Sequence, residues 1–262
     1  MASESAGNPR RRAEYGALLT EAYDLDKPEA PAEELAYYLH HSQQFGEPVL
    51  EAMCGSGRFL VPLLETGIDI DGVDASPYML AACAAKCAER GLRVSLHEQM
   101  LHELDLPRRY RFIFAGGASF GLIAETREVE ESLSRLHAHL LPGGHLLLEV
   151  ETPRAAPANA EAASAVPPRK WTRPDGAEIV QHYTGSYDPA TRVLTGTLAY
   201  ELCVSGKQVA VEDNAWTMRY WEPDAFAAHL RVAGFEVLRS MDPYEGRSAE
   251  GRVVSYLAQR PN

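Results

Sequence analysis

The sequence predicts an α/β fold: a doubly wound, mostly parallel seven-stranded sheet carrying an inserted antiparallel β cap. Three observations carry that expectation. Between residues 46 and 151, continuous apolar runs alternate with helical stretches of about ten to fifteen residues, the pattern of parallel strands covered on both faces. The first run, VLEAMCGSGRF at 49–59, passes from a buried strand through a glycine turn into a helix. Beyond residue 152 the alternation stops, and polar–apolar alternation with turn residues takes its place.

Residues 13–45 read as a helical, aromatic arm, with Tyr15, Tyr23, Tyr37 and Tyr38, broken by the proline-bearing DKPEAP. The strands PVLEAM, IDIDGVDA, RVSLHEQ, YRFIFAGG and HLLLEVE follow, with helices expected from about Ser56, over Pro77 to Arg90, and from about Glu128 to Leu140. The acidic EVEE at 128–131 suits a helix start, where carboxylates complement the dipole. Pro153 to Pro168 is rich in alanine and proline without periodicity, a connection. AEIVQHYTGSYD, RVLTGTLAYELCVSG and KQVAVEDNAWTMRYW, separated by DPATR and SGK, predict an antiparallel meander of three or more strands. EPDAFAAHLRVAGF reads as a helix closed by Gly234, and EVLRSM and VVSYLAQ rejoin the first sheet. The implied organisation is an arm over 1–45, a core over 46–151 and 221–262, and a cap over 152–220.

Composition bounds the partners. The 262 residues carry a formal charge of -12, which opposes nucleic acid; the basic run Arg10, Arg11 and Arg12 reads as a solvated tail. No stretch of about 20 apolar residues predicts a membrane span. Four cysteines without a secretory leader predict reduced thiols in a cytoplasm, and Cys83 and Cys87 read as small buried apolar residues, with no ligand set completed for a metal.

The glycine turn narrows the ligand. Gly55 and Gly57 let backbone approach a bound group closely. A third glycine of a dinucleotide fingerprint would fall at Leu60, and a phosphate loop's Gly-Lys-Ser/Thr ending is absent, so a pyrophosphate lacks its usual cradle and a nicotinamide oxidoreductase is disfavoured. Asp74 ends the second strand 23 residues beyond Glu51, where an acidic side chain can take two hydrogen bonds from a ribose diol. The pattern points to a nucleoside.

With these residues in place, the chain resembles the class I S-adenosylmethionine-dependent methyltransferases of small molecules, whose core is Rossmann-like. VLEAMCGSGRFLVPL is similar to their first motif, GVDASPYML to their second, and LPGGHLLLEV to their fifth strand; the likeness spans about residues 46–151 and, more weakly, 221–260. The resemblance implies S-adenosyl-L-methionine as cofactor, with Glu51, Ala52, Met53, Cys54 and Gly55 around its methionine portion and Asp74 on the ribose. It places Ala75, Ser76 and Met79 by the ribose or adenine edge, Gln99, Met100 and Leu101 beside the adenine, Ala115 and Gly116 by the sulfonium, and Tyr23 beside the cofactor. Two positions depart from the pattern: Met53 replaces the first glycine, where its carbonyl could still accept from an ammonium at negative φ, and Met100 replaces an adenine-binding aspartate, for which Gln99 or Glu98 offers an acceptor.

A sulfonium methyl is already activated, so alignment and exclusion of water come first and a base is optional. His182 in the cap is the candidate base, against its reading as an ordinary polar strand residue; His137 and His139 read as surface residues. Tyr15, Phe120, Trp171, Tyr183 and Tyr220, with Trp216 and Trp221, are candidates to line an apolar acceptor cavity, with Arg219 for an acidic group. The expected function is methyl transfer to nitrogen or oxygen of a small-molecule acceptor; the rival is a non-catalytic sensor or scaffold that keeps the nucleoside pocket. A homodimer is one possible assembly.

Overall fold

A computed structural model describes residues 15–158, 166–242 and 251–262; the arginine run at 10–12 and part of the alanine–proline connection lie outside them. The arm supplies α1 (Ala17–Asp26) and α2 (Ala32–Phe45), separated by the DKPEAP stretch. The core runs β1 (Val49–Ala52), α3 (Leu60–Glu65), β2 (Ile70–Asp74), α4 (Pro77–Glu89), β3 (Ser95–Glu98), β4 (Tyr110–Ala115), α5 (Thr126–His139) and β5 (Leu140–Glu151). The cap contributes β6 (Arg169–Thr172), β7 (Glu178–Asp188), β8 (Val193–Val204) and β9 (Lys207–Arg219). The chain then returns through α6 (Pro223–Val232), β10 (Glu236–Met241) and β11 (Val253–Gln259).

Seven strands make the core sheet in the order β10-β11-β5-β4-β1-β2-β3. β1 pairs in parallel with β2 and β4, β2 with β3, and β4 with β5. Only β11 is reversed, antiparallel to both β5 and β10. Strand order turns at β1 and β4, the point where an open sheet leaves a crevice beyond its carboxyl ends. Successive β4 side chains feed opposite faces: Phe112 and Phe114 pack with Tyr38, Phe59 and Leu63, while Ile113 packs with Leu50, Leu133, Leu136 and Phe226. Burial on both faces explains the uninterrupted apolar runs.

The helix starts follow local chemistry. Ser76 caps α4, accepting the Met79 N–H at 3.2 Å with Pro77 in the first turn. Gly234, at φ +96, closes α6, and Phe235 N–H returns to the Leu230 carbonyl.

The cap is a separate antiparallel sheet, β6-β7-β8-β9. Odd-numbered β7 residues face inward, with Ile179 and Tyr187 buried, while His182 points outward and is exposed. Arm, cap and core meet where Leu19 and Ala22 of α1 pack with Met79 of α4 and with Ile179 and Tyr200 of the cap.

Candidate active site

The turn after β1 is built from left-handed backbone. Met53, Gly55 and Gly57 have φ of 58, 54 and 82°. Gly57 has no room for a side chain, since a Cβ would stand 2.5 Å from Cys83 Sγ. The condition of negative φ at Met53 is not met: it holds the left-handed conformation where glycine is usual, a strained state that clusters at ligand sites. Asp74 fastens this turn to the next, its Oδ2 accepting the Gly55 N–H at 2.9 Å and its Oδ1 the Ser76 N–H at 2.8 Å. Burial raises the Asp74 pKa, against those backbone donors, which lower it.

At the other end of the crevice Glu51 is 3% exposed, and its Oε2 has no hydrogen-bond partner. Burial pushes its pKa well up; the charge of Arg58 opposes that, and Asp74 adds to it. Arg58 is nearly buried as well; its Nη2 lies 3.2 Å from Glu34 Oε2, while its Nε is buried without a partner. Tyr23 of α1 stands among these groups: burial raises its pKa, Arg58 lowers it and Glu51 raises it, and Lys27 sits 5.0 Å over its ring. A buried unpartnered carboxyl oxygen within electrostatic reach of a guanidinium whose Nε–H is buried and unpartnered fits a zwitterion, such as the amino-acid end of S-adenosylmethionine.

The arm roofs the crevice. Ser76 Oγ donates to the Tyr15 carbonyl at 2.6 Å, and the Tyr15 phenol lies close enough to Asp74 to feel its charge while bonding to Trp216 of β9. Glu212 of β9 accepts the Leu18 and Leu19 N–H groups at 2.9 and 3.0 Å, so a cap residue closes the start of α1. Asp24 of α1 holds Ser56 Oγ at 2.5 Å and Lys86 Nζ at 2.7 Å. Trp171 Nε1 bonds Asp26 at 3.3 Å, which ties the cap to the end of α1 rather than opening onto a cavity.

Several expected contacts fall elsewhere. His182 lies on the outer face of the cap sheet, 4.0 Å from Glu201, and is withdrawn as the base. Arg219 is spent on the Ala124 carbonyl and Thr126 Oγ1, at 2.9 and 2.7 Å, and its guanidinium covers the Trp221 ring, so it is not a free anchor for an acid. Phe120 and Leu101 are core, packed with Phe226 and Leu133. Gln99 turns away from the crevice and pins the 99–105 loop through the Asp105 N–H and carbonyl, although its own N–H continues the strand to the Asp74 carbonyl at 3.0 Å. His139 is buried, accepting the Leu106 N–H at 2.9 Å, and His137 packs edge-on against Phe235; neither is a plain surface residue.

Ala52 and Ala115 are buried at strand ends, and Ala75 is exposed beside Asp74. Met79 is buried, 3.8 Å from where a Gly55 Cβ would stand, and Met100 starts the short turn after β3. Gly116 gives way not to ligand but to Tyr38, whose hydroxyl would lie 2.8 Å from a Cβ there. That hydroxyl donates to Glu149 Oε1 at 2.6 Å, while Glu149 Oε2 accepts the Gly117 N–H at 3.0 Å and so braces the loop after β4. Tyr183 and Tyr220 sit inside the cap with Tyr187, Leu194 and Met218; the Tyr183 ring lies over the paired Gly185 and Gly196, and its hydroxyl is buried without a partner.

Sequence reasoning missed Arg58, Glu212, Glu149 and Asp24. The spacing of Arg58 after the glycines was visible in GSGRF, but nothing local announces that a strand carboxylate will cap a distant helix. Among the described residues no group of three His, Cys, Asp or Glu could hold a metal ion, and no helix is long and apolar enough to cross a membrane. All four cysteines are free thiols, and Cys54, Cys83 and Cys87 are buried.

Comparison with known proteins agrees with this geometry. Residues 49–144 match the family model described as a methyltransferase domain. A Streptomyces fradiae dTDP-3-amino-3,6-dideoxy-alpha-D-glucopyranose N,N-dimethyltransferase is 27% identical over 154 residues, 56% of this chain and 58% of that protein. The chain thus spans less than two thirds of that relative's length. An S-adenosylmethionine-dependent methyltransferase structure from Clostridium acetobutylicum superposes with a TM-score of 0.74 at 15% identity, covering 92% of this chain and 97% of that one. An amino pentose methyltransferase from Micromonospora echinaspora, solved with S-adenosylmethionine bound, gives a TM-score of 0.64 at 16% identity over 96% and 100% of the two chains. Residues 49–144 are thus similar to a methyltransferase domain, and the chain shares the fold of the S-adenosylmethionine-dependent methyltransferase structures.

Proposed function

We propose that the protein transfers a methyl group from S-adenosylmethionine to nitrogen, or on a second reading oxygen, of a small-molecule acceptor. The observation that carries this is the pair of acidic side chains at the ends of β1 and β2. Glu51 keeps one buried oxygen free for an ammonium, and Asp74 is oriented by two turn N–H groups where a ribose diol would lie. The bound cofactor supplies a methyl already activated by a sulfonium, so the chain must hold, align and dehydrate rather than generate a nucleophile. α1 and the cap exclude water: Tyr15 bridges Ser76 and Trp216 across the crevice. Glu149 fixes the backbone of the loop after β4 from behind.

With His182 facing out, the phenols nearest the crevice are Tyr15 and Tyr23, and burial raises both pKa values, so neither is a base near neutral pH. That favours an acceptor that attacks as a neutral amine and loses its proton afterwards. The Streptomyces fradiae relative, named for methylation of an amino sugar, supports nitrogen. Four free thiols suit a reducing compartment.

Incubation with isotopically labelled donor and a panel of amino sugars and other small amines, read by mass spectrometry, is expected to yield labelled product; donor binding without turnover across the panel would favour the sensor reading. Calorimetry supplies the companion measurement. Asp74→Ala is expected to weaken S-adenosylhomocysteine binding by about 1–3 kcal/mol, the scale for leaving buried hydroxyl donors unpaired. Absence of binding by folded wild-type protein would remove the proposal.

A further inference from the structure

β4 ends at the switch point beside β1, so residues 116–126, which follow it, stand next to the turn after β1; Arg58 Nη2 is 3.4 Å from where a Gly117 Cβ would be. Gly117 and Ala118 are both left-handed, at φ 62 and 55°, and Ala118 is buried. That conformation is strained for alanine, so its surroundings must impose it.

The segment is gripped from two sides. Inside the sheet, Glu149 Oε2 accepts the Gly117 N–H at 3.0 Å, and the buried Tyr38 hydroxyl donates to Oε1 at 2.6 Å. Ser119 Oγ closes the turn by donating to the Gly116 carbonyl at 2.8 Å. From the cap, β9 holds the far half. Thr217 Oγ1 donates to the Leu122 carbonyl at 3.3 Å, and Arg219 Nη1 to the Ala124 carbonyl and Thr126 Oγ1 at 2.9 and 2.7 Å. Gly121 lies so close to Met218 that a Cβ would stand 2.5 Å from its Sδ.

Core packing does not account for Glu149. It is 1% exposed within LLLEV, where Leu146, Leu147, Leu148 and Val150 are fully buried. A carboxylate there carries a desolvation cost that an apolar residue of similar size avoids. What it supplies is a fixed hydrogen-bond acceptor for one backbone N–H of a turn that would otherwise relax.

We propose that Glu149 is a positioning residue for methyl transfer, with Arg219 its counterpart on the cap: together they fix the 116–126 segment, and through it the place of the cap relative to the donor crevice. This rests on the methyl-transfer reading and adds the element that joins its two halves. Both side chains act through backbone, without touching donor or methyl acceptor.

The test measures turnover of the amine that the labelled-donor panel converts fastest, beside calorimetry of S-adenosylhomocysteine. Glu149→Leu and Arg219→Gln are each expected to lower kcat by about 10- to 100-fold, the scale for misplacing reacting groups by about 1 Å, with S-adenosylhomocysteine affinity held within about 3-fold. Glu149→Gln, whose amide oxygen can still accept the Gly117 N–H, is expected to keep kcat within about 5-fold. The double variant Glu149→Leu/Arg219→Gln is expected to lose little more than the worse single one, because both act through one segment. An unchanged kcat in folded Glu149→Leu, a fall matched by an equal loss of S-adenosylhomocysteine affinity, equal losses in Glu149→Gln and Glu149→Leu, or fully additive losses in the double variant would overturn the proposal and leave the methyl-transfer reading intact. Wild-type protein that turns over no amine of the panel would remove both. Circular dichroism establishes that each variant is folded, and if Glu149→Leu is not, Arg219→Gln decides by the same two readings.

Discussion

Met53 concentrates the tension between fold and ligand in one residue. Its φ of 58° costs an L-residue roughly 1–2 kcal/mol, while its side chain packs against the core. The backbone penalty can be isolated by truncating the side chain to two sizes that pack alike. At an ordinary φ, alanine is the more stabilising replacement because glycine frees the unfolded chain; at φ 58° the order reverses. Met53→Gly is therefore expected to be more stable than Met53→Ala by about 1 kcal/mol in denaturant unfolding. If the alanine variant matches or exceeds the glycine variant, the turn relaxes and the strain does not exist. Sequence alone could flag Met53 as a departure from glycine, but not its φ, because the left-handed state is imposed by Asp74 gripping Gly55 two residues on and by Cys83 standing over Gly57.

Among elements, α1 is the one whose place no local signal specifies. The core strands were legible because burial on both faces writes itself as apolar runs, and β7 to β9 because one-sided burial writes itself as alternation; the expected bounds fall within a residue or two of Glu178–Asp188, Val193–Val204 and Lys207–Arg219. β6 was not individually legible, since its exposed Arg169–Thr172 carries no apolar period. The same blindness hid the roles of His182 and Arg219: residue type suggests chemistry, while the face of a strand and the carbonyls nearby decide it. For α1, the start has no side-chain cap of its own and is closed instead by Glu212 from β9, while Asp24 ties the helix to α4 and Asp26 ties it to Trp171. Glu212→Ala is expected to cost about 1 kcal/mol, the usual value of an N-cap. By hydrogen exchange, the amides of Leu18 to Ala22 are expected to lose protection in that variant while those of β1 and β4 do not change. Uniform loss across arm and core would mean that α1 is not a separately opening unit.

At the scale of the whole molecule, the crevice leaves its mark on the pH dependence of folding. Burial raises the pKa values of Glu51, Asp74 and Glu151 above the ordinary 4.5 and 3.8, so each is more readily protonated folded than unfolded. The sign follows: stability from these groups is fully present below the unfolded values and drains away as pH rises through the folded ones. Burial lowers His41, His137, His139 and His145 below 6.5, which works the other way, removing stability as pH falls beneath that value. The two sets therefore oppose each other between the ordinary carboxyl and imidazole values. The formal charge of -12 also favours lower pH through self-repulsion, so the overall curve cannot isolate the site. A single substitution can. Glu51→Gln removes a buried acid at unchanged size, and denaturant midpoints taken from about pH 5 to 9 are expected to show it stabler than wild type, by a margin that widens with pH until Glu51 is ionised in the folded state. A margin independent of pH would mean that Glu51 is already ionised throughout that range. Addition of S-adenosylhomocysteine is expected to narrow the margin, because an ammonium at Oε2 stabilises the carboxylate that burial opposes, and calorimetric binding heats should then vary with the ionisation enthalpy of the buffer as Glu51 releases its proton.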